Sequence, residues 1–423
     1  MKRCASAFAA LVLALAATAT CAAPDEDRLG RAQGYPVGTP ENWFFDESVR
    51  IGSFSNLDQV RFRATSLAPL RAASAPMPLP RAAAAERFAR DLRWREAARD
   101  GGRSLTIDDY LARQRVMALL VIKDGEVLVE RYQYERTPAH RFVSHSMAKT
   151  IAALAFAFAL QEGRITSLDV RADRLASELA GTLYGEATVR QLLRMSSGVR
   201  FSEQYDGRDD LARFTAEAAR RGIDAAARLM TEREAAPGER FRYASAETSI
   251  LSLVAQRATG EDLATYLTPR LWQAIGAEHD ALWLKNTTGV ISAGGGFNAT
   301  LRDYGRLAAV LANDGKRPDT GAQVLPRDYL VEATGRAHHP AAFQPGRATP
   351  YFGYGYQVWL YPGEKRRFAL LGVYGQMIAV DPAQRLAMVQ LAANETARAG
   401  STTLARDADA LWRGIVGHFG RWD

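Results

Sequence analysis

Ser146 and Lys149 stand three residues apart in Ser146-Met147-Ala148-Lys149, at the head of an apolar run that reaches Leu160. In a helix that spacing puts both side chains on one face. Alone, the pair reads as a capping serine and a lysine whose stem lies along the helix. The run behind it reverses that reading. Ile151 to Leu160 is apolar on nearly every side, which marks a central, buried helix. An amine held beside such a segment loses solvation, and its pKa falls toward that of a usable general base. The helix N-terminus favours negative charge developing on Ser146. Together these point to a nucleophilic serine and a lysine base.

Two further stretches suit such a site. Pro237-Gly238-Glu239-Arg240-Phe241-Arg242 leads from a turn into Tyr243-Ala244-Ser245, a Y-x-S before a new helix. A phenol brought near Ser146 and Lys149 can relay a proton to a leaving group; without them, Tyr243 reads as half-buried core. The late stretch Leu370-Leu371-Gly372-Val373-Tyr374-Gly375-Gln376 has strand character. Glycine in a strand lets a substrate approach the backbone, and a strand N–H there can join the Ser146 N–H in an oxyanion hole. The plain alternative is a bulge or a strand bend. Gly294-Gly295-Gly296 does not form a G-x-G-x-x-G after a strand, and neither a Walker A pattern nor H-E-x-x-H occurs. His145 precedes Ser146 without a surrounding G-x-S-x-G, so it reads as a packing residue. His338-His339, in the loop 336–352, has no acidic partner nearby and reads as a cleft rim rather than a metal pair. Trp272, Trp359 and Trp412 read as core.

S-x-x-K, Y-x-S about a hundred residues on and a glycine strand near the C-terminus together resemble the penicillin-recognising serine hydrolases. These include class C β-lactamases, DD-peptidases, related esterases and nylon-oligomer hydrolases. Thr188 to Val199 and Ala293 to Leu307 look like that family too, and the resemblance covers about 105 to 420. Two departures stand out. Leu370-Leu371-Gly372 replaces the usual Lys or His, Thr or Ser, Gly, so the cation that would hold a β-lactam or stem-peptide carboxylate is missing. Ser245 stands where Asn is commonest. The subgroup that looks most similar is the 6-aminohexanoate-dimer hydrolase-like proteins, through Val143 to Lys149, Y-x-S and a Gly-apolar oxyanion pair. The resemblance implies Ser146 as nucleophile, Lys149 as base, Tyr243 as proton relay, and the Ser146 and Val373 N–H groups as oxyanion hole. It places Tyr205, in Phe201 to Tyr205, against the substrate, with Ser245, Gly372 and Tyr374 beside it. It implies neither cofactor nor metal, and a carboxylic ester or small linear amide as substrate. Two rivals differ in class. One is a β-lactamase or DD-peptidase that holds the carboxylate with a remote arginine. The other is a silent periplasmic binding protein on the same fold.

The elements that must position these residues follow from patterning. Ala118 to Ile122, then Asp124-Gly125, then Val127 to Val129 predict a hairpin. Ser146 to Gln161, Leu301 to Ala312, Thr403 to Phe419 and Ala82 to Arg99 predict helices. Residues 165–290 read as mostly helical with few strand-like runs. Gly355 to Leu360, Arg367 to Leu371, Met377 to Val380 and Leu386 to Leu391 predict strands. The expected fold is α/β in the α+β sense: an antiparallel sheet flanked by N- and C-terminal helices, with an inserted helical subdomain. The expected divisions are a signal peptide over 1–23, an extension and linker over 24–104, a sheet domain over 105–164 and 291–423, and a helical subdomain over 165–290. Residues 67–85, rich in Ala and Pro, read as a linker or extended arm.

Composition bounds the rest. Of 423 residues 47% are hydrophobic and 24% charged, which excludes a disordered, collagen-like or polytopic membrane chain. The net charge is +7, and its arginines are spread among acidic residues, which argues against nucleic-acid binding. Lys2 and Arg3, the apolar run Ala7 to Ala19 and the small residues before Pro24 predict a cleaved secretory signal, with no stable membrane insertion. Cleavage after Ala22 or Ala23 removes both cysteines and lowers the net charge to about +5. The expectation is an exported protein, periplasmic or secreted. Its oligomeric state is not legible from these patterns.

Overall fold

The computed structural model describes residues 23–63, 65–96, 102–398 and 403–423. The signal-peptide reading, apart from Ala23, lies outside them, as do both cysteines. Among the described residues no helix is long and apolar enough to cross a membrane.

A seven-stranded antiparallel sheet forms the centre. Its strands run in the order Glu126–Tyr132, Val116–Lys123, Leu386–Ala392, Gln376–Asp381, Phe368–Gly372, Trp359–Leu360 and Gly353–Tyr354. Strand residues alternate between two covered faces. Leu120, Ile122, Ile378 and Val389 face the core that holds the helices Met147–Gln161 and Leu301–Ala312. Leu119, Val121, Ala379 and Met388 face the core that holds the Ile107–Arg113 and Thr403–Phe419 helices. Cover on both sides explains why Leu386–Ala392 is buried along its whole length and reads as a continuous apolar run.

A second, four-stranded sheet runs in the order Thr65–Leu70, Ala281–Asn286, Phe297–Ala299 and Phe142–Val143. Ala281–Asn286 is a strand within a stretch that reads as helical. It forms because Thr65–Leu70, far away in sequence, pairs with it residue for residue. The arm then stays extended, with Ala73 and Met77 donating to the Ala277 and Gly276 carbonyls at 2.8 Å. Beyond it, the helix expected over Ala82–Arg99 is shorter, Ala85–Asp91. Trp94–Arg95 pairs instead with Ser104–Leu105, and the Trp94 indole donates to the Thr106 carbonyl at 2.8 Å. Of the strand expected over Gly355–Leu360 only Trp359–Leu360 forms; it pairs antiparallel with a separate short strand, Gly353–Tyr354, across a turn in which Gln357 takes φ 56°.

Candidate active site

The turn before Ser146 is sharp. The Ser144 N–H donates to the Phe297 carbonyl at 2.8 Å, which pins the strand end. His145 then takes φ 43°, an unusual conformation for a residue with a Cβ. The chain passes within three residues from the Phe142–Val143 strand into the Met147–Gln161 helix, with Ser146 at the N-cap. The His145 imidazole is buried among Trp43, Phe44, Phe54 and Tyr374. Burial first, then the Arg50 and Lys149 cations, lower its pKa to about 3, so it is neutral at any ordinary pH.

Lys149 lies one turn on and is only 1% exposed. Its Nζ donates to Ser146 Oγ at 3.0 Å and to the Gly294 carbonyl at 2.6 Å. Burial lowers the Lys149 pKa from 10.5 to about 8, against the opposing pull of Glu203. Its amine is therefore within reach of Ser146 and titrates near pH 8.

Tyr243 closes the group. Its hydroxyl lies beside Ser146. The ring stacks on Trp359 at 5.5 Å and 18°, and Lys149 Nζ stands 5.3 Å from its centroid. Burial and the Glu203 charge raise the Tyr243 pKa well above the usual phenol range, so the hydroxyl keeps its proton. The segment is held from behind, where the Arg242 N–H donates to the Met195 carbonyl at 2.8 Å.

Gly372 brings the late strand against this turn. A Cβ there would lie 2.5 Å from the Ser144 carbonyl oxygen and 3.1 Å from His145 Cβ, so only glycine permits the approach. Val373 follows and faces the cavity. A cleft of about 1450 Å³ joins the parts, and Ser146, Glu203, Tyr205, Tyr243, Gly372 and Val373 all line it. Phe241, Phe352 and Trp359 give it an apolar wall.

Two residues expected against the substrate sit elsewhere. The Ser245 hydroxyl and N–H donate to Glu203 at 2.7 and 2.8 Å, so Ser245 is buried behind the cleft and serves the carboxylate. Tyr374 takes φ 60° and turns its ring away from the cleft onto Phe44, Phe54 and His145. Tyr205 does line the cleft, and its hydroxyl donates to Glu203 at 2.6 Å.

The β-lactamase family matches residues 105–411. The chain belongs to the β-lactamase family. It is a serine hydrolase of that family. Among proteins similar to it is a 6-aminohexanoate-dimer hydrolase from Paenarthrobacter ureafaciens, 28% identical over 283 residues, which are 65% of this chain and 71% of that one. A Bacillus anthracis structure under a provisional 6-aminohexanoate-dimer hydrolase name aligns with a TM-score of 0.75 at 23% identity, covering 89% of this chain and 96% of the other. EstCE1, a hydrolase with promiscuous acyltransferase activity, aligns with a TM-score of 0.54 at 18% identity, covering 70% and 94%. Both structures have the same fold as this β-lactamase-family chain.

Three parts of the site escape a reading of the sequence. Gly294 contributes its carbonyl to Lys149, although the triple glycine looks only like a failed nucleotide loop. Glu203 is buried and acts electrostatically on Lys149, and its only signal is an acidic residue between Phe201 and Tyr205. Three of the four aromatic residues around His145, Trp43, Phe44 and Phe54, come from a segment that precedes every motif.

Proposed function

We propose that the protein is exported and cleaves a carboxylic ester or small linear amide through an acyl-enzyme on Ser146. Neutral Lys149 takes the Ser146 proton as Oγ attacks the carbonyl carbon. The oxyanion is met by the Ser146 and Val373 N–H groups. As the carbonyl re-forms, the bond to the leaving group breaks, and Tyr243 passes it a proton that Lys149 replaces. Water, deprotonated along the same route, then attacks the acyl carbon, and Ser146 recovers its proton. With a pKa of about 8, about a tenth of Lys149 is neutral at pH 7.

The observation that carries this reading is the buried Lys149 amine 3.0 Å from Ser146 Oγ. The ester or linear-amide preference rests on the likeness to a 6-aminohexanoate-dimer hydrolase and on Leu370-Leu371 where a carboxylate-binding cation would stand. The test is the intact mass of the protein after incubation with a fluorophosphonate, beside Ser146→Ala. One adduct on the wild type, absent from the variant, is expected. Turnover of a p-nitrophenyl ester and of a linear 6-aminohexanoate amide, set against nitrocefin, then assigns the substrate class. Undiminished turnover by Ser146→Ala would refute the assignment.

A further inference from the structure

The helix Glu47–Ser55 precedes residues 105–411, which match the family. Arg50, on that helix, is 3% exposed. Its Nη1 donates to the Asn394 carbonyl at 2.8 Å and its Nη2 to the Phe45 carbonyl at 3.0 Å. The guanidinium carbon stands 4.3 Å from the centre of the Tyr374 ring, over its face. A buried cation is costly unless it is compensated, so the Arg50 guanidinium holds the Asn394 and Phe45 carbonyls and the Tyr374 ring around it. The main chain of Tyr374 is tied to the same stretch. Its N–H donates to the Ala397 carbonyl at 3.1 Å, and its carbonyl accepts from the Asn394 N–H at 3.0 Å.

Tyr374 follows Val373, and His145 precedes Ser146. Both have left-handed backbones, φ 60° and φ 43°, which bulky residues hold only where the surroundings enforce them. Their rings pack 6.0 Å apart. Phe54 touches both, at 4.5 Å from His145 and 5.4 Å from Tyr374. Phe44 also touches both, at 5.6 and 5.1 Å. One cluster from the N-terminal segment therefore grips the two turns that carry the two proposed oxyanion donors.

We propose that Arg50, Phe44 and Phe54 are positioning residues for the oxyanion hole. They lock the His145 and Tyr374 turns so that the Ser146 and Val373 N–H groups converge on one oxygen. The proposal rests on the roles given above to Ser146 and Val373. These three residues do not line the cleft, so they act through the backbone donors and not on the substrate. An oxyanion donor works in the transition state, so its misalignment lowers kcat and leaves KM alone.

The experiment compares wild type, Arg50→Met, Arg50→Lys and Phe54→Leu on p-nitrophenyl butyrate, with binding of a phenylboronic acid as transition-state analogue. Loss of one oxyanion donor costs about 100- to 1000-fold in kcat, and partial misalignment in Arg50→Met and Phe54→Leu should cost on the order of 10- to 100-fold. KM should stay within about threefold, boronate affinity should weaken in step with kcat, and Arg50→Lys should recover part of the loss. The pH at which Lys149 titrates in the rate profile should not move. Folded variants that keep kcat within about twofold of wild type would overturn the proposal, as would a loss confined to KM or a shifted rate profile. Should Arg50→Met fail to fold, Phe54→Leu decides. A wild type that takes no fluorophosphonate at Ser146 would bring down the serine reading and this one with it. Labelling at Ser146 with indifferent Arg50 and Phe54 variants brings down the positioning role alone.

Discussion

Glu203 raises the pKa of Lys149 without accepting a hydrogen bond from it. The carboxylate is engaged by the Ser245 N–H, the Ser245 hydroxyl and the Tyr205 hydroxyl, while Lys149 Nζ donates to Ser146 and Gly294. Burial wins the contest and holds Lys149 at about 8. The proposed mechanism uses the neutral amine, so kcat/KM for an ester should rise with pH through about 8 and level off above it. Glu203→Gln removes the opposing charge and keeps the shape. Its rate profile should move to lower pH, with a plateau reduced severalfold because Ser245 and Tyr205 lose a charged acceptor. A profile that stays in place or moves to higher pH would contradict the electrostatic assignment.

The same lysine is a stability liability. Its folded pKa of about 8 lies below its ordinary 10.5, so below pH 8 the fold carries a buried ammonium that the unfolded chain solvates freely. The unfolded state binds more protons between the two values, so the Lys149 contribution to stability improves as pH rises from 8 to 10.5. Lys149→Met should abolish turnover and yet unfold at a higher temperature at pH 7. The gain is about 3 kcal/mol at most, by linkage of the two pKa values. The gap between variant and wild type in urea midpoints should close as pH approaches 10. A gap that widens with pH would show that the lysine is stabilised in the fold.

Tyr243 offers a separable test. Its phenol keeps its proton at ordinary pH, and its ring is held by the stack on Trp359. Tyr243→Phe keeps the stack and removes the hydroxyl beside Ser146. Expected is a fall in kcat of about 100-fold or more, within the range for losing a positioned proton donor, with KM and thermal stability close to wild type. The loss should be smaller for a p-nitrophenyl ester than for a linear amide, since nitrophenolate leaves without a proton. Equal losses on the two substrates would refute the relay.

Much of this arrangement is legible in the residues because it is local. Ser146 and Lys149 meet through helical spacing alone, and the apolar run behind them announces the burial that lowers the lysine pKa. The late strands and the Leu301–Ala312 helix follow from periodicities of 2 and 3.6. What stays hidden depends on distant pairing. Ala281–Asn286 becomes a strand only because Thr65–Leu70 lies beside it. Ser245 turns from the cleft because Glu203, some forty residues earlier, claims its hydroxyl. Tyr374 turns away because Phe44, Phe54 and Arg50 make a buried place for its ring. Neither claim leaves a mark at fixed spacing.

Gly372 provides the last test, because its requirement is one of space and not of conformation. Its φ of −127° suits any residue, but a Cβ would meet the Ser144 oxygen at 2.5 Å and Gln376 Cβ at 3.0 Å. The first contact is backbone and cannot swing aside. Gly372→Ala must therefore push the strand away from the turn that carries Ser146, widening the gap between the Ser146 and Val373 N–H groups. A donor displaced by a few tenths of an ångström loses part of the 100- to 1000-fold that a full oxyanion contact supplies, so kcat should fall about 10-fold or more. Gly417→Ala is the control. It lies in the Thr403–Phe419 helix, a Cβ there meets nothing within 4 Å, and alanine is the better helix former. It should leave kcat unchanged and thermal stability equal or slightly raised. Wild-type kcat in Gly372→Ala would mean that the strand does not complete the oxyanion site, and the second donor would have to be sought on another element.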